Sequence, residues 1–292
     1  MASGEGIISR RAAVLFSGPA LLVILAFLAF PALWVIVISL TDLTLASIQP
    51  ARFIGLANYS RILSDHFFWN ALKVSLIFVL ASGVIGQAGL GLSLAVFLHG
   101  RKGLSRSILV SAAVLAWILP EVVVAYSWAA FLDQDAGLLN RLLGLFGLPA
   151  VNWMSYHTAL FSIIVFNTWR GTAFSLLLFS AALSSLPPSY LETADTLGAG
   201  PWRRFRDIIL PLIRGSIFTA LILITLWTFN VFTPFLLTRG GPSFSTELLP
   251  VFIYRNAFLG PLKLGYGSAA AAIMLLLNLA LGTMYLLAGR KK

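Results

Sequence analysis

The sequence predicts an all-α polytopic membrane protein with six transmembrane helices and both termini on the cytoplasmic side. Three observations carry that expectation. First, 59% of the 292 residues are hydrophobic and only 10% are charged, with a mean hydropathy of +0.93. A soluble domain carries about 25% charged residues, so lipid is the solvent for most of this surface. Second, six segments, 12–40, 70–98, 105–132, 158–186, 207–237 and 264–289, each offer the roughly 20 apolar residues that a membrane helix requires. They are too long for barrel strands and do not alternate strictly, so helices are what satisfy their backbone groups in lipid. Third, the basic residues are asymmetric. With the N-terminus inside, Arg10, Arg11, Arg101, Lys102, Arg106, Arg203, Arg204, Arg206, Arg214, Arg290, Lys291 and Lys292 are cytoplasmic. Only Arg52, Arg61, Arg141, Arg239, Arg255 and Lys263 are outside. An inside excess of Lys and Arg favours this orientation.

The net charge of +10 sits in short clusters between apolar runs. That is a topology pattern and not a nucleic-acid stripe, so membrane lipid is an expected partner and nucleic acid is not. The chain has no cysteine, which removes disulfides, thiolate metal sites and cysteine nucleophiles.

Along the chain, residues 1–11 form a short cytoplasmic N-terminus. The uncharged run from Ala12 to Thr41 is too long for the 7–15-residue apolar region of a signal peptide. It is read as a retained first transmembrane helix, 12–40. Residues 70–290 hold five further helices. Outside connections near 41–69, 133–157 and 238–263 carry Trp69, Trp153, Tyr59 and Tyr156, aromatic residues suited to the membrane interface.

The cytoplasmic loop 187–206 has a different character. Pro187 and Pro188 end the fourth span. Ser189 and Glu192 have the spacing of a capping box, so a short helix is expected from about Tyr190 to Leu197, with Gly198 as its left-handed stop. Gly200-Pro201 then starts a helix that enters the membrane and kinks at Pro211. Tyr190, Leu191, Ala194 and Leu197 fall on one stripe. Two fates fit that stripe: an elbow lying on lipid or on its own bundle, or a docking helix for a soluble partner.

The stretch Glu192-Thr193-Ala194-x3-Gly198-x9-Ile208-x-Leu210-Pro211 resembles the EAA loop of binding-protein-dependent ATP-binding-cassette (ABC) import permeases. Thr193 is the one departure, where that family usually has alanine. Trp169-Arg170-Gly171, Leu237-Thr238-Arg239-Gly240-Gly241-Pro242, Ile253-Tyr254-x2-Ala257-Phe258 and Gly265-Tyr266-Gly267-Ser268-Ala269 are similar to the carbohydrate-uptake branch. The likeness covers nearly the whole chain and is weakest before residue 70. It implies the type I importer permease architecture, with 70–290 as the permease core in a prokaryotic inner membrane. It implies a coupling helix in which Glu192, Thr193, Ala194, Leu197, Gly198, Ile208, Leu210 and Pro211 link the membrane part to an ATPase. The partners implied are a second, related permease chain, two ATP-binding subunits and an external solute-binding protein. The cargo implied is a di- or oligosaccharide of the trehalose or maltose type, or glycerol phosphate.

Two ionisable residues lie inside spans. Glu121 follows Pro120 in the third and Arg170 is in the fourth. On straight helices each is 11–12 residues from the outer end, about 17 Å deep. An unpaired charge there costs at least ~3 kcal/mol, so the two are expected to pair or to share a water-filled cavity. Such a pair can merely join two helices, or it can line a substrate route. Asn167 and Asn230 are buried polar candidates, and Trp227 and Phe229 accompany Asn230. Hydrogen-bonding edges and aromatic faces suit a sugar, while interhelical bonding and lipid-facing bulk are the plainer alternatives. Lys73 is expected to snorkel. Gly83, Gly86, Gly89, Gly91 and Ala269 to Ala272 are expected to permit close helix packing.

No G-x4-G-K-[ST] loop occurs, so this chain is not expected to hydrolyse ATP and no cofactor is expected on it; the resemblance implies that ATP and Mg are bound by a partner subunit. His66, His99 and His157 have no metal-ligand spacing. These features argue against an enzyme. An ion-gradient transporter would carry more membrane carboxylates and more spans. An enzyme acting on lipid-linked substrates would have Asp133 and Asp135 as its candidate acids.

Overall fold

The computed structural model describes residues 10–290, so most of the expected cytoplasmic segment 1–11 lies outside it, as do Lys291 and Lys292. Among the described residues the regular structure is helical, apart from an isolated antiparallel bridge between Thr41 and Phe53. Five helices are long and apolar enough to cross a membrane: Phe16–Ser39, His66–Leu98, Ala159–Ser184, Arg214–Thr238 and Leu264–Gly289. The sixth expected span is not one rod. Leu104–Ile118 and Glu121–Phe131 meet at 104°. The cause is local: Leu119 precedes a proline and is pushed out of the helical region, to φ −56° and ψ 141°, and Pro120 follows at ψ 134°.

The fifth span also departs from expectation. Its long apolar helix starts at Arg214 and not at 207. The preceding segment runs Pro201–Arg203, a widened π turn Arg204–Ile209, then Leu210–Leu212. The kink expected at Pro211 falls two residues later, at Ile213 (φ −93°, ψ 8°). The same span is interrupted after Phe229, and a short helix resumes at Pro234–Thr238. Two of the π turns, Leu25–Ala29 and Arg204–Ile209, lie just before Pro31 and Pro211. A widened turn lets the backbone pass a residue that has no N–H to donate. The connections expected outside are not plain loops either, since they hold the helices Ala57–Leu63, Leu138–Leu145 and Leu249–Tyr254.

Backbone contacts divide the chain into two units. One holds the described residues up to Ser64 together with Ile253–Ile273. No residue in the apolar window of its first helix is buried. It is organised by Asn58, whose amide donates to the carbonyls of Ser39 (2.9 Å) and Thr41 (2.8 Å). Tyr59 and Ser39 share a 2.7 Å hydroxyl bond, so Tyr59, expected as an interface aromatic, has a structural partner. Gly265 fits tightly here, because a Cβ would stand 2.1 Å from the Thr41 carbonyl oxygen.

The second unit, Asp65–Phe252 with the chain from Met274 onward, holds the candidate site. Asp65 caps His66–Leu98 by accepting from the Phe67 N–H at 2.8 Å. This helix packs along Ala159–Ser184, and Arg214–Phe229 packs on its widened stretch Val79–Ala88. The glycine row contributes as expected at three of its four positions. A Cβ on Gly83 would press on Thr228, one on Gly86 on Thr168 and one on Gly91 on Ser175, whereas Gly89 faces open space. Phe179, Leu183, Ile213 and Ile224 centre one core cluster, and Phe78, Ile163 and Leu248 another. In the first unit, Ala269, Ala270 and Ala272 of the sixth helix are buried.

Candidate functional site

The break at Leu119–Pro120 makes Glu121 the first residue of a half-helix, where its negative charge is favoured by the helix N-terminus. The straight-helix depth deduced for Glu121 therefore does not hold, but the pairing does. Arg170 Nη1 lies 3.0 Å from Glu121 Oε1. The other carboxylate oxygen accepts a 2.6 Å bond from the Thr233 hydroxyl, at the break of the fifth span. One carboxylate thus ties together both interrupted spans and the uninterrupted fourth. The Arg170 side chain is 13% exposed and that of Glu121 50%. Arg170 Nε is buried with no partner.

The pair borders a cleft of roughly 430 Å³, its open mouth included, which Gln87, Asn167, Gly171 and Trp227 also line. Gly171 packs closely there: a Cβ would stand 2.0 Å from Gln87 Oε1, so the amide end of Gln87 would have to move to admit one. Gln87 in turn donates to Thr228 Oγ1 (3.3 Å), and Asn167 donates to Ser82 Oγ (2.9 Å). Phe174 lies between two tryptophans, 5.6 Å from Trp117 and 5.9 Å from Trp227 between ring centroids. The arrangement offers amide and charged hydrogen-bonding groups beside aromatic faces.

Of the residues expected along a substrate route, Glu121, Asn167, Arg170 and Trp227 meet at this cleft. Phe229 is buried in the bundle instead. Asn230 is exposed and not buried as expected, and it pairs with Asn278 of the sixth helix through reciprocal amide bonds of 2.9 and 3.2 Å, so its role is interhelical. Sequence reasoning missed Gln87, Trp117, Phe174 and Thr233. The available signal for Gln87 was a long amide side chain inside an apolar span.

At the loop, the helix runs Pro188–Thr196. It begins two residues before the expected Tyr190, because proline is pre-organised for the first helical position. Ser189 therefore sits inside the helix and not ahead of it, and the expected capping box is not its start. The stop is as expected. Gly198 has φ +68°, and the Ala199 N–H returns to the Ala194 carbonyl at 2.9 Å, a Schellman closure. The apolar stripe divides. Ala194 is buried and Leu191 packs on the core cluster that includes Ile209 and Ile213. Tyr190 and Leu197 are exposed, Leu197 by 80%. Glu192, Thr193, Gly198 and Pro211 are exposed, while Ile208 and Leu210 are half-buried. Trp202 adds a third exposed apolar side chain to this surface, at 70%. Leu191 and Ala194 hold the helix to its own chain and leave the other face open.

Residues 87–292 match the family model described as the binding-protein-dependent transport system inner membrane component. The chain is 34% identical over 276 residues to the trehalose/maltose transport system permease protein MalF of Thermococcus litoralis, covering 93% of this chain and 91% of that one. It is 32% identical to the sulfoquinovosyl glycerol transport system permease protein SmoG of Agrobacterium fabrum, covering 95% and 90%. In fold it resembles a chain of a bacterial ABC transporter involved in import of the acidic polysaccharide alginate, with a TM-score of 0.81 at 22% identity and coverage of 97% and 96%. With its several apolar helices, its EAA-like loop and a match over more than two thirds of its length, the chain belongs to the family of binding-protein-dependent transport system inner membrane components.

Proposed function

We propose that this chain is the translocation subunit of an ATP-driven importer of a carbohydrate. The cargo is a di- or oligosaccharide of the trehalose or maltose type, or a glycerol phosphate. Both termini face the cytoplasm of a prokaryotic cell. A second, related permease chain completes the membrane part, two ATP-binding subunits dock on the cytoplasmic side and bind ATP and Mg, and an external binding protein delivers the cargo.

The cleft carries the sugar reading. Sugar hydroxyls need paired donors and acceptors, which Gln87, Asn167, Arg170 and Glu121 offer, and sugar ring faces need flat apolar surfaces, which Trp117, Phe174 and Trp227 offer. Relatives named for trehalose and maltose transport agree with it. The open face of Pro188–Thr196, with Tyr190, Leu197 and Trp202 exposed, supports docking of a soluble ATPase. Closure of that ATPase would move the helix, and Leu191 and Ala194 would pass the movement to the bundle.

The test is to assemble the chain with its partners in liposomes and to measure ATP hydrolysis with candidate binding proteins, each loaded with its sugar. A loaded sugar-binding protein should stimulate hydrolysis. Gly198→Asp, at a left-handed position that L residues adopt only with strain, should abolish stimulation while the membrane subunits still assemble. Uptake by this chain alone, driven by an ion gradient, would overturn the proposal.

A further inference from the structure

A second polar cavity lies at the turn between the second and third spans and shares no lining residue with the cleft. It encloses roughly 620 Å³ with its mouth included. Arg101, Lys102 and Arg106 line it, with His99 beside them and the hydroxyl residues Ser180 and Ser184 from the fourth helix. Its apolar side is Ala95, Leu98 and Val110, of which Ala95 and Leu98 are buried. Among the described residues no carboxylate lines it. Among the described residues, none of the three cations is in an ion pair.

Arg101, Lys102 and Arg106 are all exposed, so water screens part of their mutual repulsion, and a bound anion would relieve the rest. The turn is shaped to converge the three charges. Gly100 and Gly103 have φ of +72° and +113°, which reverses the chain within five residues between Leu98 and Leu104. Arg101 is held with its guanidinium carbon 3.9 Å from the Phe97 ring centroid. The following helix starts at Leu104 with no side-chain cap, so unsatisfied N–H groups and the positive end of its dipole lie at the same turn. The cavity sits where one apolar helix ends at Leu98 and the next begins at Leu104. Its apolar side suits the first carbons of an acyl or glycerol moiety.

We propose that this cavity binds a phosphate-bearing anion, in the geometry of an anionic lipid headgroup. Arg101 and Arg106 supply forked donors to the phosphate oxygens, Lys102 supplies a point charge and the two serines supply hydroxyl donors.

The experiment uses the purified full chain in nanodiscs. Native mass spectrometry reads retained lipid, and phenylglyoxal reads the reactivity of Arg101 and Arg106. Discs of phosphatidylcholine alone are compared with discs containing phosphatidylglycerol, and a third set is phosphatidylcholine with inorganic phosphate. Retention of phosphatidylglycerol with protection of both arginines supports a lipid source. Protection by inorganic phosphate alone supports the same chemistry with a soluble source. Protection by neither overturns the proposal.

The triple variant Arg101→Gln, Lys102→Gln, Arg106→Gln should retain the anion on the order of 100-fold more weakly, because three basic side chains no longer face it. Because those charges also orient the loop, Arg101→Lys with Arg106→Lys is the second variant. It keeps charge and topology but loses the forked donors, and it should weaken retention several-fold. Retention unchanged in that variant would reduce the cavity to a general positive potential and overturn the assigned geometry.

Discussion

Glu121 and Arg170 form an ion pair, yet their removal should have unequal consequences. Glu121→Ala deletes the acceptor of a guanidinium that is 13% exposed and whose Nε already lacks a partner. A buried donor that loses its partner in a charged hydrogen bond costs about 1.5–3 kcal/mol, and the lost acid at a helix N-terminus adds about 0.3–1 kcal/mol. The Coulomb part is small because Glu121 is half in water. The expected total is about 2–4 kcal/mol. Arg170→Met instead removes the buried cation along with its unpartnered nitrogen. It leaves a half-exposed carboxylate still bonded to Thr233 at 2.6 Å, so its expected cost is about 1 kcal/mol or less. The double variant should be no less stable than Glu121→Ala alone. Apparent thermal midpoints of the three variants in nanodiscs give the ranking. If Arg170→Met unfolds as early as Glu121→Ala, the pair is not limited by burial of the arginine and the reasoning fails.

Two further outcomes follow from the packing. Gly91→Ala would place a methyl 2.3 Å from Ser175 Cβ and 2.9 Å from the Leu176 backbone nitrogen, so it should destabilise by about 1–3 kcal/mol. Gly89→Ala, two residues away and with nothing within 4 Å, should be neutral or stabilising by up to about 1 kcal/mol; the same midpoint measurement separates them. Asn278→Leu removes the reciprocal amide pair with Asn230. It should cost about 0.6–2 kcal/mol, read by denaturant titration, without changing cargo-stimulated ATP hydrolysis.

The helices were legible because lipid enforces long apolar runs, and their ends fall close to the apolar boundaries. What was not legible was where a run breaks internally. Leu119-Pro120 lies inside a continuous apolar segment, and hydropathy does not distinguish a kinked helix from a 104° corner. Pro120 was a visible signal, but Pro19 stands within a helix that continues through it. At the site, Glu121 and Arg170 stood out because ionisable residues are costly in a membrane. Trp117 and Phe174 did not, because an aromatic side chain in an apolar run looks the same whether it faces lipid or a cleft. Ala194 shows the limit of a stripe argument: helical periodicity places four residues on one side, but the neighbouring segment 204–209 covers only part of that side.

The widened stretch Val79–Ala88 has a consequence for register. Its turns close over one more residue than an α-helix uses. The face of the second span that carries Phe68, Val74 and Phe78 therefore cannot be extended to Gly91 and Ala95 by 100° steps. Length and direction are decoupled at this point of the chain. Losing one residue there would shorten the span by only about 1.5 Å, yet it would turn everything below by about 100°. Gly91 would be carried off Ser175, and a tight helix contact would be lost although the span stayed as apolar as before.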